Sequence, residues 1–544
     1  MLTFTKFPKK GRLGNQLFQY AAMIGFANKY KTNFVLPAWP YAKYFNEPFA
    51  ELTSMGPATH IKEAAYNYTG EYYDAVMSHY NKLHNYDFDG YFQTEKYWQH
   101  CVPEVLQALT FKTEYRDAVA KKYHQVLKGK ENRVIAVSIR RGDFVNNPNY
   151  AQIPITYYYT ALEKYFPGWQ TEDYRVIIFS DDIEYCKLHF QSFGNVFFAE
   201  NSFDNTNKAM YFEENRSAIE QLCLMTLCDH FIISNSTFSW WGAYLGETSK
   251  SQIIHPRAIL DGKLKAKNDT KDYFPSRWQA HEETKIDLRD VTFMVPVHYD
   301  HRDRMQNMSL NICYIQKNFN TNIIIGEQGS DIFSRFQDFG CRYVKYNYKL
   351  FHRTKMLNEM AYISNTSIIV NWDADVFISP LQILQSVEAL RSGMFDVIYP
   401  YDGRFARVPR LQYFKVLEQS FDVGVFAAHK FNGTLPGHKL SVGGAVMFNR
   451  SKYFQGGGEN ENFVAYGPED VEREVRFTRL GYKVGRTDGI LFHMDHFKGP
   501  NSKCAGNPYD KQNHDELEKI YSFTREELRD YVNSWNLTKQ YLNA

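Results

Sequence analysis

Nothing in the 544 residues reaches the ~18 apolar positions of a membrane-spanning helix, and residues 1–10 hold no long apolar run, so neither a span nor a leader is expected. An excess of one charge is also missing. Lysine and arginine total 63 against 61 acidic residues, a formal net charge of +2, which gives no electrostatic case for nucleic acid or a membrane surface as partner. Cysteine is sparse and unpatterned. Cys101, Cys186, Cys223, Cys228, Cys313, Cys341 and Cys504 are odd in number and show no C-x-x-C spacing, so they read as reduced, mostly buried thiols. With these classes set aside, a cytoplasmic enzyme is the expectation.

What is present is length, aromatic residues and a few charged clusters at the ends of apolar runs. The length suggests about three to five compact units. Aromatic residues make up 17% of the chain and can serve sugar-binding faces as readily as cores. The most informative cluster is S-I-R-R-G-D at 138–143, which follows the apolar run Val134 to Val137. Such a run predicts a buried strand, and the pair Arg140 and Arg141 then emerges at its C-terminal end, where α/β folds bind ligands. Two guanidiniums there call for an anion, although an Arg–Asp pair of purely structural use has the same pattern.

Three other stretches bear on that choice. Gly11-Arg-Leu-Gly-Asn-Gln16 leads into a segment with helical apolar spacing, and such a glycine-rich turn lets backbone N–H groups approach a phosphate. A strand from Arg175 ends in Asp181 and Asp182; capping a strand end or a helix start is a commoner use of such acids than holding a metal. A short strand at Phe231 runs into the hydroxyl-rich turn Ser234, Asn235, Ser236, Thr237, Ser239 and then a helix, more small donors than one cap requires.

Together G-R-L-G-N-Q-L-F-Q-Y-A at 11–21, I-R-R-G-D-F at 139–144, F-S-D-D at 179–182 and I-S-N-S-T-F-S-W-W at 233–241 resemble the four signature stretches of α-1,2-fucosyltransferases, in the family's order, over roughly residues 3–280. The resemblance implies a GT-B-like pair of Rossmann-type halves, GDP-fucose as donor and no metal. It places Arg140 on the donor's β-phosphate as the catalytic leaving-group stabiliser, with Arg141 and Asp143 fixing its orientation. Ser236 and Thr237 would give further donors to the phosphates, and Gly11, Gly14 and Asn15 would shape the facing loop. Fork-shaped arginine contacts suit a leaving diphosphate on which charge accumulates. Where the family usually has histidine, two residues before the arginine pair, this chain has Ser138. Serine cannot take up a proton near neutral pH, so this half is left without an assigned general base.

Between Trp278 and Arg289 the sequence is polar, and a new apolar strand then opens at Val291, which places a domain boundary near residue 285. The expected domains are 1–285 and 286–544, the latter ending in a helical tail with a capping box at Thr524-Arg-Glu-Glu527. In the second, a buried strand from Ser367 ends in Asp373-Ala-Asp375. Two carboxylates one residue apart at a strand end can both reach a divalent cation that carries a diphosphate. Farther on come Gly443-Gly-Ala, the turn Gly456-Gly-Gly458, Tyr466-Gly-Pro-Glu-Asp470, and His493-Met-Asp-His496, whose two imidazoles could complete a metal set.

F-H-R-T-K-M-L-N at 351–358, D-A-D, G-G-A, the glycine turn, G-P-E-D and H-M-D-H resemble, in order over about 290–500, the catalytic domain of β-1,4-galactosyltransferases and related bacterial chain-building transferases. The resemblance implies a GT-A fold, a UDP-sugar donor and Mn²⁺, with Mg²⁺ left open. It implies Asp375, His493 and His496 as metal ligands, Asp373 near the nucleotide ribose and Arg353 on the diphosphate. Asp470 would be the general base, and Glu469 and Tyr466 would hold the acceptor; acids at a helix start are the structural alternative for Glu469 and Asp470. Tyr466 replaces a usual tryptophan, and His493 a frequent methionine. The whole is expected to be a bifunctional glycosyltransferase, adding fucose from GDP-fucose (α-1,2) and a hexose, galactose first, from a UDP-sugar by inversion to a glycan acceptor. The alternative is one activity beside a degenerate sugar-binding module.

Overall fold

The computed structural model describes residues 1–46, 49–79, 84–128, 133–145, 147–199, 215–410, 422–426, 440–498 and 508–535. It is mixed α/β with largely parallel sheets and divides into two compact units, Met1–Lys187 with Phe193–Thr284, and Lys285–Ala544 with Leu188–Ser192. Among the described residues no helix is long and apolar enough to cross a membrane. The six described cysteines are free thiols, five of them buried; Cys504 lies outside the described residues.

The first unit holds two all-parallel sheets. The smaller runs in the order Phe34–Val35, Leu2–Thr3, Asn85–Asp89, Ala58–Lys62. The larger runs Gln279–His281, Ile253–Pro256, His230–Ile232, Val134–Ile139, Arg175–Ser180, Val196–Phe198. Val134–Ile139, buried at every position, is the strand its apolar run predicts. From it the chain builds outward in one direction through Val196–Phe198, then returns to its other side and builds the opposite way. The point of reversal, between Val134–Ile139 and His230–Ile232, is where open parallel sheets leave a crevice at their carboxyl ends. In the small sheet the chain passes from Leu2–Thr3 to Phe34–Val35 on one side, then crosses to the far edge at Ala58–Lys62 and returns inward to Asn85–Asp89.

Aromatic residues fill much of the core of the first unit. Trp98, Trp240 and Trp241 are fully buried, and Phe18 packs on Trp240 with ring centroids 4.6 Å apart, tying helix Leu13–Lys29 to helix Thr237–Gly246. An indole buries about 150–250 Å², so at about 25 cal/mol/Å² each contributes several kcal/mol to this junction. The polar stretch after Trp278 is not a bare linker. Gln279–His281 adds an edge strand to the larger sheet, and the second unit's first strand starts at Ile286, earlier than its apolar run suggests. Ile286 and Leu288 are buried in alternation with exposed Asp287, a period-2 signal too short to stand out among charges.

The second unit is built on a seven-stranded sheet in the order Arg342–Tyr346, Phe319–Gln328, Ile286–His298, Ile368–Trp372, Ala445–Asn449, Val397–Tyr399, Val484–Arg486, with Ala445–Asn449 antiparallel to both neighbours. A three-stranded sheet, Val376–Phe377, Leu491–Met494 and Phe405–Val408, lies just beyond the D-A-D turn. The C-terminal helices Asp510–Ser522 and Arg525–Asn533 follow, the second opened by the capping box of Thr524 and Glu527.

Candidate functional site

The first unit encloses a cavity of about 640 Å³ lined from the carboxyl ends of both its sheets. Arg12, Gly14 and Asn15 follow strand Leu2–Thr3; Ser138 and Arg140 end Val134–Ile139; Ser236 and Thr237 follow His230–Ile232. Two helix N-termini meet there. Gly14 lies in the first turn of Leu13–Lys29, and a Cβ on it would come within 2.6 Å of Thr237 Oγ1 and 2.7 Å of the Phe238 backbone nitrogen. Neither helix has an acidic residue in its first turn, so the positive ends of both dipoles stay uncompensated beside the cavity. Gly14→Ala is therefore expected to force the two helices apart, costing about 1–3 kcal/mol of stability and raising the KM for the donor of this unit. A thermal melt paired with donor kinetics checks it.

Arg140 is the cationic centre of this cavity. Its Nη1 lies 2.7 Å from Asp181 Oδ2, its Nη2 pairs with Asp143, and its guanidinium carbon sits 5.2 Å from the Phe144 ring centroid. Its Nε is buried without a hydrogen-bond partner. Asp143 also pairs with Arg12; burial would raise its carboxyl, and Arg140 and Arg12 outweigh that and hold it below the usual range. Both readings of the Arg–Asp cluster thus coexist: the acids fix the guanidinium while one of its N–H groups stays unpaired.

Other expected donor contacts separate. Arg141 does not line the cavity. Its backbone N–H donates to Asp181 Oδ1 at 2.9 Å, its Nε lies 3.2 Å from Asp182 Oδ2, and its guanidinium stacks 3.5 Å over the Tyr185 ring. It braces the turn that aims Arg140. Gly11, at φ +94°, also lies outside the lining and packs against Asn15, whose Oδ1 accepts from Gln93 Nε2 at 2.7 Å. Gly14 and Asn15 are helical rather than part of a loop. The hydroxyl-rich turn divides similarly. Ser234 and Ser239 bond each other, Asn235 pins the carbonyls of Ala151 and Ile259, and Ser236 caps its helix through the Phe238 N–H at 3.3 Å. Of the five, Asn235, Ser236 and Thr237 line the cavity.

In the second unit, residues after neighbouring strands meet at the reversal between Ile286–His298 and Ile368–Trp372. Pairing of Val376 with His493, and the Met494 N–H on the Asp375 carbonyl at 2.8 Å, carry His493 to the D-A-D turn. Asp375, His493 and His496 each offer one ligand atom, all within 4.8 Å of one another. His496 Nε2 lies 3.2 Å from Asp375 Oδ2 and its Nδ1 is 2.7 Å from the Phe497 carbonyl, a bond that leaves Nε2 as the lone-pair nitrogen. Burial lowers the pKa of His493 and keeps it neutral, as a ligand must be, and its Nδ1 is buried without a partner. This donor set fits a divalent metal. Arg304, from the helix after the adjacent strand, donates to Asp375 Oδ2 at 2.9 Å.

Arg353 bridges the remaining acids, with Nη2 2.9 Å from Asp373 and Nη1 3.4 Å from Asp470. Arg473 donates to Asp470 at 2.7 Å and pairs with Glu459 at 3.2 Å, both of the latter pair 1% exposed. Gly443 allows the approach, since a Cβ there would stand 2.9 Å from Asp470 Oδ2. The adjacent acids are driven apart. Burial and the Asp470 charge push Glu469 up to about 8. Burial acts the same way on Asp470, but Arg473 and Arg353 overcome it and hold that carboxyl ionised. Tyr466 is exposed, its carbonyl held at 3.2 Å by Asn513 from the C-terminal helix.

The sequence reading omitted Arg12, Arg304, Glu459 and Arg473. Arg473 carried a usable signal, three residues after Asp470 on one helix. Arg304 and Glu459 are joined to the site only by the fold.

Residues 2–281 match the family model for Glycosyl transferase family 11, and residues 425–499 that for the N-terminal domain of galactosyltransferase. Among curated relatives, an O-antigen biosynthesis glycosyltransferase of Escherichia coli is 34% identical over 136 residues, 24% of this chain and 41% of that protein. An alpha-1,2-colitosyltransferase of Escherichia coli is 26% identical over 35% of this chain and 61% of that one. A galactoside 2-alpha-L-fucosyltransferase of Mus musculus is 26% identical over 43% and 62%. The chain thus spans about two fifths to three fifths of the length of these relatives.

Proposed function

The chain belongs to glycosyl transferase family 11, and from that premise we propose that it is a bifunctional glycosyltransferase. Its first unit transfers fucose from GDP-fucose, with α-1,2 linkage, in a GT-B-like pair of Rossmann-type halves. Its second, GT-A-like unit transfers a hexose, galactose first, from a UDP-sugar. The observation that carries the reading is that each unit gathers its own charged cluster, Arg140 with Asp143 and Asp181 in the first and Asp375 with His493 and His496 in the second, beyond the carboxyl ends of its own parallel strands. We place the domain boundary near residue 285 and the reactions in the cytoplasm.

In the first unit Arg140, preset by Asp143 and Asp181, takes the charge that builds on the departing diphosphate. Arg12, Ser236, Thr237 and the two helix N-termini around Gly14 and Asn15 hold the same group. In the second, Asp375, His493 and His496 would hold the divalent cation, which when bound supplies positive charge to the leaving diphosphate. Two imidazoles beside one carboxylate favour Mn²⁺ over the all-oxygen surroundings that suit Mg²⁺. Asp373 and Arg353 contact the nucleotide. Asp470, kept ionised, takes the acceptor hydroxyl's proton as that oxygen attacks the anomeric carbon with inversion, while Glu469 and Tyr466 hold the acceptor sugar. Covalent linkage of successive transferases raises the effective concentration of the intermediate glycan.

One observation favours a second reading, a single transferase beside a degenerate module: Ser138, not a proton carrier, lines the first cavity. A donor screen with mass-resolved products separates the two. Metal-independent transfer from GDP-fucose and EDTA-sensitive transfer from a UDP-hexose are expected from the intact chain, and absence of either sinks bifunctionality. GDP-colitose belongs in the screen because a colitosyltransferase is among the relatives.

A further inference from the structure

Three carboxylates open on the first unit's cavity: Glu63, Asp143 and Asp181. Two are already engaged by guanidiniums. Asp143 pairs with Arg12 and Arg140, and Asp181 with Arg140 while also accepting the Arg141 N–H. Glu63 makes no ion pair among the described residues. It follows strand Ala58–Lys62 of the small sheet, whereas Arg140 follows Val134–Ile139 of the large one, so the two residues reach the cavity from different sheets. Its oxygens accept the N–H groups of Tyr91 at 2.6 Å and Phe92 at 2.8 Å. Those bonds fix the carboxylate and use two of its roughly four acceptor positions, leaving the others for a substrate hydroxyl.

We propose that Glu63 is the general base of the first unit, an inference that rests on the reading of that unit as a fucosyltransferase. A bond forms between the acceptor hydroxyl oxygen and the sugar's anomeric carbon. The bond from that carbon to the β-phosphate oxygen breaks, and its electron pair leaves on GDP beside Arg140. The hydroxyl proton passes to the Glu63 carboxylate. This supplies from the small sheet the proton acceptor that Ser138 cannot be. Burial raises the Glu63 carboxyl above the usual range, opposed by the Tyr91 and Phe92 N–H groups and by Lys10, and reinforced by Asp89. A raised value brings a carboxylate nearer to what a base needs at neutral pH. Tyr66, Tyr73 and Tyr97 are the other titratable groups that feel its charge.

The rival role for Glu63 is to pin the turn at Phe92, whose φ is +53°. The intact chain and its Glu63→Gln and Glu63→Asp variants distinguish the roles, with GDP as the binding probe and GDP-fucose as donor. For Glu63→Gln, kcat is expected to fall about 10²–10⁴-fold and the acid limb of the pH profile to vanish, while the Kd for GDP stays within about twofold. Glu63→Asp should retain the limb and part of the rate. Undiminished transfer by Glu63→Gln in a preparation whose wild type is active sinks the base alone. Loss of GDP binding together with activity assigns Glu63 to the turn and overturns the proposal. A wild-type chain without fucosyl transfer sinks the fucosyltransferase reading itself, and the base with it.

Discussion

Arg140→Ala is expected to lower transfer from GDP-fucose by about 10³-fold or more, with hexosyl transfer by the second unit held within about twofold. The size follows from what the guanidinium does. In the proposed reaction it meets charge that appears as the sugar–phosphate bond breaks, so its loss is felt more in the transition state than in the donor complex. Asp143 and Asp181 preset it, which spares the reorganisation cost at the moment of reaction. Arg140→Lys separates charge from geometry. It keeps the cation but not the fork, and cannot satisfy Asp143, Asp181 and a phosphate together, so an intermediate loss is expected. The check is kcat and KM for both donors on the same preparations. If Arg140→Ala also removed hexosyl transfer to a simple acceptor, the two units would not be independent sites.

How legible such a site is from sequence depends on whether its parts are local. Val134–Ile139 could be read because a strand buried on both faces needs an unbroken apolar run, and the residue following such a strand is placed by the strand itself. The positions of Arg140, next after Val134–Ile139, and of Asp373, next after Ile368–Trp372, were legible for that reason. Arg141 was not: adjacent residues at a turn point in different directions, and only the fold shows that Asp182 and Tyr185 take its guanidinium. The hydroxyl-rich turn was legible only in part: Ser236 and Thr237 line the cavity, but its other hydroxyls serve the fold. Composition cannot distinguish a hydroxyl aimed at a ligand from one satisfied by its neighbour, and Ser234 and Ser239 satisfy each other. Glu63, Arg304 and Glu459 stand in unremarkable sequence and reach their sites only through strand order. The start of the second unit's first strand at Ile286 was hidden by the charges of Asp287 and Arg289 on its exposed positions.

The second unit offers the sharper separation of roles, because the residues proposed as its metal set and the one proposed as its base lie on different elements. Asp470→Asn is expected to reduce kcat for hexosyl transfer about 10²–10⁴-fold while Mn²⁺ binding is retained. Asn keeps the shape and can still accept from Arg473, whose charge remains paired with Glu459, so the buried network loses one anion without leaving a bare cation. Asp375→Ala is expected to abolish hexosyl transfer through Mn²⁺ binding instead: it removes the one carboxylate among the three ligand groups and releases Arg304 toward the space the cation would fill. Titration with Mn²⁺, followed by calorimetry on wild type and both variants, reads the distinction directly. Retained metal affinity in Asp375→Ala would move the cation elsewhere, and transfer by Asp470→Asn at more than about a tenth of the wild-type rate would pass the base to Glu469. In the wild type, burial and the neighbouring Asp470 charge push Glu469 up to about 8, which suits it to donate a hydrogen bond to an acceptor oxygen; Asp470→Asn removes the second of these causes and leaves burial, the larger one, still opposing a Glu469 base.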